Sequence, residues 1–287
     1  MWAVNYLVAR TAPGIIGPHV LALGRWSLAG LILAFIARDE LWRERANILK
    51  AWPQYVILGF LGMLICGAWV YWGGETTTAL NIALIYAASP VLITLGAVFG
   101  LKESFSFKQG VGVFIALMGV LHVVVKGQWV ALSQVIWVLG DGLIVIAMTS
   151  WAAYALLLKK WASPLSSTAR LAATCMGGCL VLLPFALFEW FATSHAAWSN
   201  EATALVVIAA IFPGVGAYWS YNFCQKTLGA SRVASTLYLG PLYAGLVGWL
   251  TLNESIGWHH AVGAAMILPG IYLASQAPPV AVVKNEN

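Results

Sequence analysis

From residue 18 onward the chain alternates long apolar runs with short stretches that hold most of its charge. A hydrocarbon core takes about 20 apolar residues of helix. Segmentation at that length predicts nine spans: Pro18 to Ala37, Gln54 to Trp72, Leu80 to Leu101, Phe107 to Val125, Val135 to Leu158, Thr168 to Trp190, Ala202 to Phe223, Ser231 to Leu252 and Gly257 to Ser275. Ahead of them WAVNYLVAR, from Trp2, is apolar and helix-compatible but supplies only about half a span. It lacks the basic leading region and the cleavage pattern of a signal peptide. It reads as the second half of a first helix whose beginning is absent. The expected architecture is an all-α polytopic transmembrane bundle of ten helices, the first incomplete.

Composition agrees with this pattern, since 61% of residues are hydrophobic, 9% are charged and the mean hydropathy is +0.84. The net charge of +5 forms no patch or basic helix face, so nucleic acid is not an expected partner. Lysine and arginine gather instead on alternate loops. With the amino end inside, the cytoplasmic side holds twelve of the 15, Arg10 and Lys126 lie outside, and Arg25 falls within a span. Such asymmetry orients the chain with its carboxyl terminus in the cytoplasm, in a plasma (inner) membrane. Cys66, Cys175, Cys179 and Cys224 sit in apolar segments without metal or redox spacing, and read as small packing residues. Neither a metal nor a cofactor is expected.

One phrase occurs twice. LKESFSFKQGVGVFIALMG starts at Leu101 and LNESIGWHHAVGAAMILPG at Leu252, and Pro90/Pro241, Glu103/Glu254, Gly112/Gly263 and Gly119/Gly270 all stand 151 residues apart. A fainter echo pairs WAVNYLVAR with WAAYALLLKK, from Trp151. The reading is two five-helix repeats, residues 1–127 and 134–275, followed by a cytoplasmic tail, 276–287. Five is odd, so the second repeat enters the membrane inverted. Lys102 and Lys108 accordingly give way to Asn253 and His259 in the outer copy. Inverted repeats are typical of secondary transporters, whose sites lie near the midplane where the halves meet.

These segments, with Arg25, GDGLIVIAMTSWAAY from Gly140 and GASRVASTLYLGPLYAGLVGWLTLNES from Gly229, resemble the drug/metabolite transporter superfamily, in particular its EamA-type ten-helix exporters. The resemblance covers essentially the whole chain. It implies export of amino acids, related metabolites or drugs, through a central cavity lined by helices one, three, four, six, eight and nine. Relatives of the same fold exchange nucleotide sugars or sugar phosphates, and that alternative, like uptake, stays open.

Polar side chains inside spans are costly and usually face the bundle interior. On the implied cavity helices the candidate substrate contacts are Asn5, Tyr71, Tyr86, Ser89, Trp151, Tyr154, Tyr218, Trp219, Asn222, Thr236 and Tyr238. They suit an amphipathic ligand with an apolar or aromatic group and an amine or carboxylate. Consecutive positions point around a helix, so only about half of Tyr218, Trp219, Tyr221 and Asn222 can share one cavity. Interfacial aromatics such as Trp72 and Trp190 are expected at the membrane boundary. No phosphate-binding GxxxxGK[ST] loop occurs, so transport would run on gradients. Glu75 and Asp141 are the candidate coupling acids, with an exposed loop acid and a partner for backbone or a basic group as their structural alternatives.

Pro90, Pro213 and Pro241 interrupt helices and are candidate hinges. Gly110, Gly112, Gly119, Gly263 and Gly270 are expected to let helices pack closely. Glu103 and Glu254 read as anchors for the helix that follows each, and Arg25 as the partner of a buried acid or of helix-end carbonyls. No HExxH, GxSxG or carboxylate cluster marks a membrane enzyme, and no filter sequence marks a channel.

Overall fold

Unbroken apolar runs form helices because backbone groups in lipid must be satisfied within the segment. The computed structural model describes residues 1–77, 79–192, 198–252 and 256–276, and the described residues are helical with short connections. Seven helices among them are long and apolar enough to cross a membrane: Pro18–Ile36, Trp52–Gly74, Asn81–Leu101, Phe107–Val124, Leu139–Lys160, Ser167–Ala192 and Asn200–Leu228. Phe35, Phe99, Phe188 and Phe191 project fully outward from them, as lipid-facing side chains do.

The other expected spans take different forms. Trp2–Thr11 is a ten-residue helix. The stretch from Ser231 is broken into Ala230–Thr236, a tight turn at Leu237–Leu239 and Gly240–Leu252. Trp258–Ser275 is one 18-residue helix whose two histidines reduce its apolarity. The span expected from Val135 starts only at Leu139, behind a short turn at Trp129–Gln134, which moves Asp141 into its first turn.

Two contacts are reciprocal, each joining residues that recur at a fixed separation along the chain. The Phe107–Val124 and Trp258–Ser275 helices cross where all four duplicated glycines meet. A Cβ on Gly112 would lie 2.6 Å from the Gly270 carbonyl oxygen, and one on Gly119 would lie 3.1 Å from that of Gly263. Gly263 and Gly270 return the contacts against the Gly119 and Gly112 carbonyls. Bare backbone is what admits this approach. Gly110 takes no part, for a Cβ there meets only Phe105 at an ordinary 3.6 Å.

In the second contact, Pro18–Ile36 runs antiparallel to Ser167–Ala192, with Gly30 against Cys175 and Ser27 against Cys179. Glu189, at the far end of one helix, accepts from the His19 and Val20 N–H groups that start the other, each at 2.9 Å. Glu40, just past the end of the first, accepts from the Ser166 N–H and hydroxyl at the start of the second, each at 2.6 Å. Free N–H groups at a helix start favour a carboxylate. Glu40 and Glu189 stand 149 residues apart, as do Gly17 and Ser166, which open the helices they cap.

Glu103 follows the same rule but not the expected assignment. The helix after it, Phe107–Val124, is capped by Ser106 and Gln109. Glu103 instead accepts from Ala230 N–H (2.9 Å), Ser231 N–H (3.2 Å) and Ser231 Oγ (2.6 Å), at the start of a helix in the other half. Burial raises its pKa, but the Ser231 hydroxyl, the two N–H groups and Lys159 outweigh that and hold it below the usual carboxylate range. Glu254, its duplicate, lies outside the described residues.

Candidate functional site

The Trp2–Thr11 helix carries Asn5 to the end of Trp52–Gly74, where the Tyr71 hydroxyl donates to Asn5 Oδ1 at 2.6 Å. Arg25 joins them from Pro18–Ile36, only 2% exposed, donating from Nη1 to Asn5 Oδ1 (3.1 Å) and to Tyr71 Oη (3.2 Å). Its guanidinium lies 4.4 Å from the centre of the Trp26 ring, a cation–π contact. The expected acid or helix-end carbonyl is not its partner. Among the described residues no carboxylate pairs with Arg25, and its Nε has no hydrogen-bond acceptor. Two neutral oxygens and an aromatic face hold the charge instead.

A second pair of the same type joins Leu139–Lys160 to Asn200–Leu228. Tyr154, on Leu139–Lys160, donates to Asn222 Oδ1 at 3.2 Å. Tyr71 and Asn222 stand 151 residues apart and Asn5 and Tyr154 149 apart, so the second pair is the first with its residues exchanged. No arginine is hydrogen-bonded to it, although Arg170 lines the same cavity as Asn222, and Asn222 Nδ2 is buried without an acceptor.

Between the pairs lies an aromatic cluster. Trp2 and Trp151, counterparts in the two echoed segments, meet edge-on at 5.4 Å. Tyr218 packs against Trp2, Trp26, Trp151 and Tyr154 at 5.0, 4.6, 5.3 and 5.8 Å, and its hydroxyl donates to the Gly62 carbonyl at 2.7 Å. Trp151 also stacks on Tyr154 at 5.3 Å and touches Tyr221 at 4.9 Å. Gly62 and Pro213 occupy corresponding places in two segments widened to π-helical geometry, Phe60–Ala68 and Ala210–Ala217. Such segments redirect backbone groups and are frequent at functional sites. Gly62 is also small enough to receive Tyr154, whose ring would lie 2.8 Å from a Cβ there.

Other expected site residues divide. Ser89 and Tyr238 are buried with unpartnered hydroxyls, and Tyr86 lies 3.7 Å from Cys66 Sγ. Thr236 is exposed, its hydroxyl donating to the Val233 carbonyl. Trp219 faces away from the cluster: one position from Tyr218 it is turned about 100° around the helix, stacks on Phe223 and donates to Thr168 Oγ1 at 2.9 Å. Pro90 opens Ser89–Leu101 just after the break that follows Tyr86, and Pro241 opens Gly240–Leu252 just after the break at Leu237–Leu239.

The acids separate likewise. Glu75 is exposed beyond Gly74. Asp141 is 1% exposed and fully engaged, accepting from the Val138 N–H that opens its own helix (2.8 Å), from Asn81 Nδ2 (3.0 and 3.1 Å) and from the Thr77 hydroxyl. The first-turn position makes it a helix-start anchor that ties two helices together. Sequence reasoning passed over His19 and Glu189, whose ring Nδ1 and Oε1 lie 3.0 Å apart in a half-buried pair. An acid near the end of an apolar run was the available signal.

The match to known proteins covers both halves. The model of the EamA-like transporter family matches residues 1–125 and 138–276. An uncharacterized transporter of Bacillus subtilis (strain 168), YyaM, is 26% identical over 94% of this chain and 88% of its own. A probable terminal-alkyne amino-acid exporter of Streptantibioticus cattleyicolor is 27% identical over 96% of this chain and 90% of its own. A solved crystal structure superposes with a TM-score of 0.76 over 95% of this chain and 92% of that chain at 16% identity, which shows a common fold.

Proposed function

This chain belongs to the EamA-like transporter family, and on that footing we propose that it is a secondary carrier exporting small amphipathic metabolites, amino acids or related compounds, across the plasma (inner) membrane by alternating access. Membrane transport of the EamA type and the multi-pass helical architecture rest on the family itself. Substrate class, direction and mechanism are the proposal.

The observation that carries it is the aromatic cluster of Trp2, Trp26, Trp151, Tyr154 and Tyr218, held between two exchanged Asn–Tyr pairs. Rings offer faces for an apolar group, while amides, hydroxyls and Arg25 orient a polar head. A ten-helix inverted repeat, with units 1–127 and 134–275, supplies the two-sided symmetry that alternating access requires. The reciprocal glycine crossing, the reciprocal Glu40 and Glu189 caps and the 151-residue recurrence support it. Pro90, Pro213 and Pro241 are the hinges in this reading, and Asn5, Tyr71, Trp151, Tyr154, Tyr218 and Asn222 the principal contacts. Asp141 acts as an anchor rather than a proton carrier in this reading, because the Val138 N–H and the Asn81 amide can only donate to it and so favour the carboxylate. In this reading the carboxyl terminus lies in the cytoplasm, the side that the basic loops favour.

The relative from Streptantibioticus, a probable amino-acid exporter, supports the substrate class. The test is comparative profiling of medium from cells expressing the chain, its Trp151→Ala variant or an empty vector, with membrane folding verified for both proteins. Selective accumulation of one amphipathic class, lost in the variant, is expected. Identical profiles from three folded or empty controls count against export. Obligatory exchange of a nucleotide sugar or sugar phosphate in oriented vesicles would replace this reading with an exchanger.

A further inference from the structure

At the lysine-rich end of the bundle, between Leu139–Lys160, Ser167–Ala192 and Asn200–Leu228, lies a cavity of about 190 Å³. Its wall includes Lys159, Arg170 and Lys226, the hydroxyl residues Ser163 and Ser167, and Asn222 at its inner limit. No acidic side chain lines it. Two groups in this wall are buried without an acceptor, Arg170 Nε and Asn222 Nδ2, and both are N–H donors. Asn222 is 5% exposed and its carbonyl already receives the Tyr154 hydroxyl, so its amide N–H groups are what it offers the cavity.

We propose that this cavity is a binding site for the carboxylate of a small soluble amphipathic anion, with Arg170 and Asn222 as its direct donors and Lys159 and Lys226 supplying the attracting field. Buried donors without acceptors are costly and call for a partner that only accepts. A carboxylate accepts at both oxygens, and its charge is favoured by three cations in a wall without an acid, of which Lys159 and Lys226 are partly offset by Glu103 and Glu40 outside it. The tail has a direction as well. Beyond Asn222 stands Tyr154, then Trp151 stacked on it at 5.3 Å, so an apolar group attached to the carboxylate points toward the aromatic cluster. Arg25, at the far side of Tyr218, is the next positive charge along that line. The inference rests on the carrier reading above and narrows it: the group this cavity holds is the ligand's carboxylate, not its amine.

The test uses purified full chain in lipid nanodiscs and two probes of matched shape, 3-phenylpropionate and phenethylamine, read by quenching of intrinsic tryptophan fluorescence. Saturable binding of 3-phenylpropionate, with phenethylamine at least about tenfold weaker, is expected, as is a loss of about tenfold in Arg170→Gln, the size of one charged hydrogen bond. Lys226→Gln, at an exposed position, gives a smaller loss without burdening the fold. The proposal is overturned by absence of saturable 3-phenylpropionate binding to folded protein, by equal or tighter phenethylamine binding, or by unchanged affinity in both variants. A phosphate-bearing lipid headgroup presents related oxyanion chemistry. If phosphatidylglycerol nanodiscs, compared with phosphatidylcholine, block 3-phenylpropionate competitively, the site belongs to lipid and the soluble anion is excluded. Flux separates the two readings: binding without transport of any probe removes the carrier and keeps the anion site, whereas phenethylamine transport without 3-phenylpropionate transport does the reverse.

Discussion

The Asn5–Tyr71 and Asn222–Tyr154 pairs are one device built twice with its residues exchanged, yet their surroundings differ in charge. The first is closed by Arg25, which gives Asn5 Oδ1 two donors, the arginine and Tyr71. The second has one hydrogen bond, an unused amide N–H and a basic cavity beside it. Repetition of the backbone therefore does not carry repetition of the electrostatics. In the proposed inverted repeat the scaffold supplies two equivalent frames, and single differences such as the arginine at position 25 make one side unlike the other. For the proposed carrier this matters, because binding and release would need the two sides of its path to hold the same ligand unequally.

The scaffold that relates the pairs is where the largest effect is expected. Gly112→Leu and Gly270→Leu should each destabilise the chain by about 3 kcal/mol or more, since even a Cβ would strike backbone and no flexible side chain can yield. Thermal midpoints in detergent measure this. Equal losses in the two variants, and a double variant well short of additive, would sharpen the equivalence of the halves. A large loss in only one would break it.

Next comes the asymmetry itself. Arg25→Met should lower flux about tenfold to a hundredfold, as expected for loss of a charged contact to a bound head group. Its thermal stability should stay within about 1 kcal/mol, because removing a buried charge without a counter-ion also removes a desolvation cost. A stability collapse with unaltered flux per folded molecule would make Arg25 a purely structural residue.

Hydroxyl removal compares the pairs directly. Tyr154→Phe should cost about 1 kcal/mol, leaving Asn222 Oδ1 without its donor, whereas Tyr71→Phe should cost more, because the Tyr71 hydroxyl also accepts from the buried Arg25. Urea titrations of both variants decide the order, and a reversed order would contradict the role given to Arg25.

The smallest expected effect is at the cap joining one half to the other. The folded-state pKa of Glu103 is depressed, so its stabilisation is present above the unfolded carboxylate value and is lost as pH falls through the folded one. Glu103→Gln should cost about 1 kcal/mol near neutrality. That difference should shrink as pH falls below the ordinary glutamate value of about 4.3 and on through the depressed folded-state value. A difference independent of pH would show that charge plays no part in the cap.

Much of this arrangement was legible beforehand for a physical reason. Lipid demands apolar helices of a given length, and seven of the expected spans follow that demand within a few residues. Glycine stripes that admit close backbone contact were visible as a recurring letter, and Gly112, Gly119, Gly263 and Gly270 meet as expected. Trp219 was less legible, because sequence gives only its angle on the helix, and its neighbours Thr168 and Phe223 settle which way it faces. Asp141 depended on a helix start that moved by four residues, a shift too small for periodicity to resolve.

By itself, then, the sequence determined membrane residence, the repeated phrase and the family, since each depends on composition, length and recurrence along one dimension. The tertiary structure decided the partners: Glu103 with the start of a helix in the other half, Glu40 and Glu189 as reciprocal caps, Arg25 with Asn5 and Tyr71 instead of an acid, and an unpaired Asn222 amide at the wall of a basic cavity. Those contacts join residues up to 170 positions apart. A hydrogen bond reaches only about 3 Å, so no pattern along the chain specifies it until the helices have packed.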